Sequence, residues 1–159
     1  MGIYVSNPGG EIDVSDDGSI VAFLSRSGSD GTDLVDGVQV DAGENVYIRD
    51  MSVTSGTPVT LADAAQDGTP SDFNDSSAGV ALSGDGQFVA FVSGASNLVA
   101  GVSVDPMVSR QVYVKNLSTG EIVVASSAAD GTAGNGYSVI NSMSFSANGR
   151  YLVFESKAS

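Results

Sequence analysis

At 159 residues, 42% hydrophobic and 16% charged, the chain is long enough to bury one core and too apolar to be disordered. Cysteine and histidine are absent, which excludes a disulfide framework, thiolate or imidazole metal sites and a Ser-His-Asp triad. A formal charge of −13 repels phosphate backbones and anionic headgroups, and no apolar run approaches a membrane span, so neither nucleic acid nor membrane is expected as a partner.

The first predicted element is a short strand, "IYVSN" at Ile3 to Asn7; it reads as a strand and not as the lipidation signal that "MGIYVS" formally fits. "EIDVS" (11–15) then leads through Asp17-Gly18 into "SIVAFLS" (19–25). The Asp-Gly pair predicts a type I′ hairpin turn, in which both central residues have φ > 0. The acidic loop "SDGTDLVDGVQVDAGE" (29–44) follows, and then the strand "NVYIRD" (45–50). "TSGTP" turns into a fourth strand, "PVTLADA" (58–64), and "QDGTPS" (66–71) leaves it as loop.

The same order then recurs. "GVALS" (79–83), Asp85-Gly86 and "QFVAFVS" (87–93) repeat the first hairpin, "QVYVKN" (111–116) repeats the third strand, and "EIVVASS" (121–127) repeats the fourth. "ADGTAG" (129–134) answers "QDGTPS". A third hairpin, "SMSFS" (142–146), Asn148-Gly149 and "RYLVFES" (150–156), follows without a third or fourth strand of its own. Three landmarks in one order at one period define an internal repeat. The units are expected at 11–65 and 79–127, with a half unit at 142–156.

The second strand of each hairpin is apolar on both faces, as in Val21-Ala22-Phe23-Leu24, so sheets are expected to cover it on both sides. A four-stranded antiparallel unit repeated in tandem with such strands predicts an all-β β-propeller, and Phe23, Phe91 and Phe154 are expected to pack between its blades. Together the phrases "SDDGSIVAFLS", "SGDGQFVAFVS" and "SANGRYLVFES", the strands "VYIRD" and "VYVKN" and the "DGT" turns resemble the bacterial TolB-like (WD-like) β-propeller repeats. "FVSGASNLVAG" (91–101) is similar to the longer tandem forms in secreted bacterial proteins. The resemblance covers nearly the whole chain and implies structural repeat residues. It implies a binding platform, or a cover for a separate catalytic domain, in an extracellular or periplasmic setting.

Propellers close with roughly four to eight blades. This sequence carries two whole blades, a C-terminal hairpin and, at Ile3 to Asn7, a strand similar to "VYVKN". Either the chain is a piece of a longer propeller or copies close a ring, each lending its N-terminal strand to a neighbour's C-terminal hairpin. The favoured expectation is a homodimeric six-bladed ring.

Asp30, Asp33, Asp36, Asp41 and Glu44 crowd the first acidic loop and are the candidate ligands for Ca²⁺, a hard cation that takes several oxygens. Their spacing matches no EF-hand or nonapeptide calcium repeat, and the corresponding loop of the second unit keeps only Asp105. Asp67, Asp72 and Asp75 form a weaker cluster. No nucleophile elbow, phosphate loop or HExxH helix occurs, so a non-enzyme is expected: a scaffold or module for a protein or carbohydrate ligand. The alternatives are a calcium-binding secreted segment and the propeller part of a larger hydrolase. Tyr113 and Tyr137 could line a recognition surface, or pack as half-buried strand residues.

Overall fold

The computed structural model describes residues 12–26, 34–40, 43–56, 58–73 and 79–159; the expected strand at Ile3 to Asn7 lies outside them. The described residues contain β-strands and no helix. The strands β1 (Ile12–Val14), β2 (Ile20–Arg26), β3 (Glu44–Asp50) and β4 (Val59–Leu61) form one antiparallel sheet in that order. β5 (Val80–Leu82), β6 (Phe88–Ser93), β7 (Gln111–Asn116) and β8 (Ile122–Val124) form a second with the same order. β9 (Ser138–Phe145) and β10 (Leu152–Ser156) make a hairpin. β9 begins earlier than the sequence pattern predicts, because pairing resumes beyond an irregularity to join Ser138 to Ser156.

Register fixes which residues are equivalent. Ile12 faces Phe23, Val80 faces Phe91 and Met143 faces Phe154; one step on, Val14 faces Val21, Leu82 faces Val89 and Phe145 faces Leu152. Phe23 pairs with Tyr47 and Phe91 with Tyr113, each pair stacked with ring centroids 5.7 Å apart. Alternate residues point to opposite faces. Ala22, Leu24, Val46 and Ile48 therefore share one face of the first sheet, and they join Val80, Leu82, Val89, Phe91 and Tyr113 of the second in one buried core. Strand β5 touches β1 and β2 on one side and β9 on the other.

The hairpin turns differ from the predicted type. Among the described residues none other than glycine has positive φ, so Asp17 and Asp85 are not the first half of a type I′ turn. Instead Gly18 N–H donates to Ser15 O (2.9 Å), and only the glycine is left-handed (φ 72°). A side-chain clasp explains the change. Ser15 Oγ accepts from Ile20 N–H (3.0 Å) and donates to Asp17 Oδ1 (2.7 Å), which also accepts from Ser19 N–H (2.9 Å). Ser83 and Asp85 repeat it, as do Ser146 and Asn148. The serine before each turn thus replaces the backbone bonds of a tighter loop with side-chain ones.

Candidate functional site

The most informative surfaces are the joints between units, because one joint occurs twice and its halves recur in the first and third turns with no counterpart among the described residues. In the first joint, a Cβ added to Gly86 would stand 3.3 Å from Ser15 Cβ and 3.0 Å from Ile20 Cγ1. In the second, a Cβ on Gly149 would stand 3.1 Å from Ser83 Cβ and 3.6 Å from Phe88 Cδ2. Each turn glycine is therefore seated on the serine and the first strand residue of the preceding turn. Gly18 is the third member of the series, and among the described residues nothing lies within 4 Å of its added Cβ.

A second contact repeats with the first. Ser96 N–H donates to Asp72 Oδ1 (2.8 Å) across the first joint, and Ser159 N–H donates to Asn135 Oδ1 (3.0 Å) across the second. Beside them bulk is exchanged for space. Phe73 packs so tightly on Gly94 that an added Cβ would lie 2.8 Å from its ring, whereas Gly136 packs on the backbone of Lys157. The loop "SGASN" thus joins units through backbone and side-chain bonds.

The first joint also holds a basic staple. Lys115 Nζ, on β7, donates to the carbonyls of Ala62 (3.0 Å) and Ala64 (2.7 Å) beyond β4. Burial lowers its pKa, while the charge of nearby Asp63 raises it. Asp63 itself is pushed up to about 7 by burial, against the opposing pull of the Val46 N–H and Lys115. Its Oδ1 accepts from Val46 N–H (3.1 Å), the place Ser126 Oγ takes for Val112 N–H (3.0 Å) in the second sheet. Gln111 completes that second network by bonding Ser126 Oγ and both backbone groups of Gly134. Its counterpart Asn45 is one methylene shorter, and both of its amide atoms are buried without a hydrogen-bond partner among the described residues.

Of the acidic candidates, Asp36, Glu44, Asp67 and Asp72 fall among the described residues. Asp36 lies exposed before Gly37, and Glu44 opens β3 with its Oε1 3.2 Å from Arg26 Nε; Asp30, Asp33 and Asp41 lie outside the described residues. Asp67 accepts from Thr69 N–H, Asp72 belongs to the joint above, and Asp75 lies outside the described residues. Among the described residues no group of three or more carboxylates could hold a metal ion. Several exposed aspartates serve turns: hydrogen bonds from the backbone and hydroxyl of Ser19, and then from Ser15, hold Asp17 down to about 2. Tyr113 is a core residue whose hydroxyl donates to Ala95 O (2.8 Å). Tyr137 is exposed, with Arg110 over its ring and its hydroxyl on Met107 O.

The apolar residues at the two ends remain. Ile12 and Val14 are 51% and 53% exposed, although their equivalents Val80 and Leu82 are each 6% exposed. On the hairpin, Val153 is 72% and Tyr151 62% exposed, whereas Ala22 and Ala90, equivalent to Val153, are fully buried. Among the described residues no strand pairs with the outer edge of β10, the edge that β3 and β7 occupy in the two sheets. Unpaired strand edges are templates for another chain. No helix among the described residues is long and apolar enough to cross a membrane. No protein-family model matches the chain, and no curated protein matches it.

Proposed function

We propose that the chain is a non-catalytic β-propeller segment, a scaffold or binding module that completes its ring with a second copy of itself. The observation that carries this reading is the joint made twice, with its unpaired halves and exposed apolar residues at the two ends. Units related by one repeated joint stack progressively, and radial stacking of four-stranded sheets is propeller geometry. Two copies would supply four whole units and two composite ones, each composite unit pairing β10 of one copy with the strand expected from the sequence at Ile3 to Asn7 of the other. The resemblance to TolB-like repeats supports the same architecture and an extracellular or periplasmic setting. Light scattering coupled to size-exclusion chromatography tests it. Twice the chain mass is the expected result, and a well-behaved monomer at micromolar concentration overturns it.

A further inference from the structure

We infer that the copies meet head to tail through a third instance of the turn joint, with Gly18 of one copy seated on Ser146 and Tyr151 of the other. The inference rests on the self-assembly proposed above and adds which residues make the contact. Its template is internal: Gly86 sits on Ser15 and Ile20, and Gly149 sits on Ser83 and Phe88. Ser146 and Tyr151 hold the corresponding places in the third turn, where Tyr151 N–H donates to Ser146 Oγ as Phe88 N–H does to Ser83 Oγ. Tyr151 is 62% exposed, and no described residue fills the space over Gly18. Among the described residues, seat and occupant are therefore both without a counterpart, in the third and the first turn of one series.

The sheet faces agree with the turns. Across the first joint, the face bearing Ala22 packs on the face bearing Val80 and Leu82. Carried one joint further, the face bearing Val153 meets the β1 part of the face that also holds the buried Phe23 and Tyr47, where Ile12 and Val14, like Val153, are exposed apolar side chains. Burial of such side chains is the main driving force for association. The contact lies on the sheet faces and the turns, so it is separable from strand pairing along the β10 edge.

The absence of cysteine permits a direct test. In the internal joints the added Cβ of the glycine stands 3.3 and 3.1 Å from the serine Cβ, just inside the usual disulfide spacing, which a small shift restores. Chains carrying Gly18→Cys and chains carrying Ser146→Cys, mixed and oxidised, are expected to give a disulfide-linked dimer that neither gives alone. The double variant Ser15→Cys/Gly86→Cys should close within one chain and serves as the geometric control. Should wild type assemble and the control close while the mixture gives no cross-link, the turn joint is overturned and self-assembly stands. Cross-linking of Gly18→Cys chains to each other overturns the head-to-tail arrangement. A monomeric wild type overturns both proposals.

Because cysteine at a left-handed position strains the turn, Val153→Asp reads the same contact independently. It lies at an exposed position, so the monomer is expected to keep its circular dichroism while the dimer dissociation constant rises about tenfold or more. Unchanged dimer affinity in that variant overturns the joint.

Discussion

The sheet β5–β8 and the hairpin β9–β10 carry the same phrase and live in different surroundings. In the sheet, Val80, Leu82, Val89 and Phe91 are buried, because the first sheet covers them on one side and β9 lies beyond. In the hairpin, Phe154 is half-buried and Val153 projects into solvent. Identical local chemistry thus yields a core strand in the middle of a stack and an open surface at its end. Burial in this molecule is a property of position in the series more than of the strand itself.

Truncating the equivalent phenylalanines is the strongest way to break that comparison. Phe91→Ala removes a fully buried ring stacked on Tyr113 and should cost about 3–5 kcal/mol, whereas Phe154→Ala should cost the isolated chain much less. Chemical denaturation of both variants checks this, and equal losses would contradict it. Lys115→Met is expected to cost about 2–4 kcal/mol, because two carbonyls in the joint lose a charged donor.

An effect of similar size should appear with pH. Asp63 has a folded pKa raised from 3.8 to about 7, so the folded state holds a proton that the unfolded chain has released. Its contribution is full below about pH 4 and is lost as pH rises through about 7, roughly 2–4 kcal/mol in all. Asp17 has the opposite sign: its pKa is lowered to about 2, so its contribution is present above about pH 4 and is lost as pH falls through about 2. The carboxyls of Asp50, Asp67, Asp85 and Asp130 are lowered in the same direction by hydrogen bonds from neighbouring Ser, Thr or backbone groups. The melting temperature should therefore peak between about pH 4 and 6. Asp63→Asn keeps the acceptor for Val46 N–H and should flatten the alkaline side of that curve.

The smallest contrast lies in the clasps. Ser83→Ala takes the hydroxyl acceptor from Phe88 N–H and one of the two donors from Asp85, at a serine that is itself buried, and should cost about 1–2 kcal/mol. Ser146→Ala, in the exposed third turn, should cost less than half of that in a monomeric sample. A dimer that includes the turn joint brings the two values together, so measuring both above and below the dissociation constant sharpens the comparison.

Much of this was legible in the residues. The strands follow from short apolar runs between Asp-Gly turns, but the stacking of Phe23 on Tyr47 and of Phe91 on Tyr113 does not, because it depends on the register between strands. The basic residue in "NVYIRD" and "QVYVKN" was visible as a recurring mark, but its reach to the carbonyls of Ala62 and Ala64 depends on a neighbouring unit far away in sequence. The turn type departs from the sequence pattern because Asp-Gly alone predicts a two-residue loop. The serine two positions before the Asp builds a longer one with its hydroxyl.

The sequence alone determined the period, the strands and the glycine at each turn, because these depend on near neighbours and on backbone stereochemistry. Only the tertiary structure decided how unlike residues replace one another at equivalent places: Asn45 and Asp63 for Gln111 and Ser126 within the sheets, and Phe73 on Gly94 for Gly136 on Lys157 across the joints. It also decided that Leu82 is covered and Val14 is not. The physical reason is that close packing makes each side chain's environment depend on neighbours from several elements, and no single strand carries all of them.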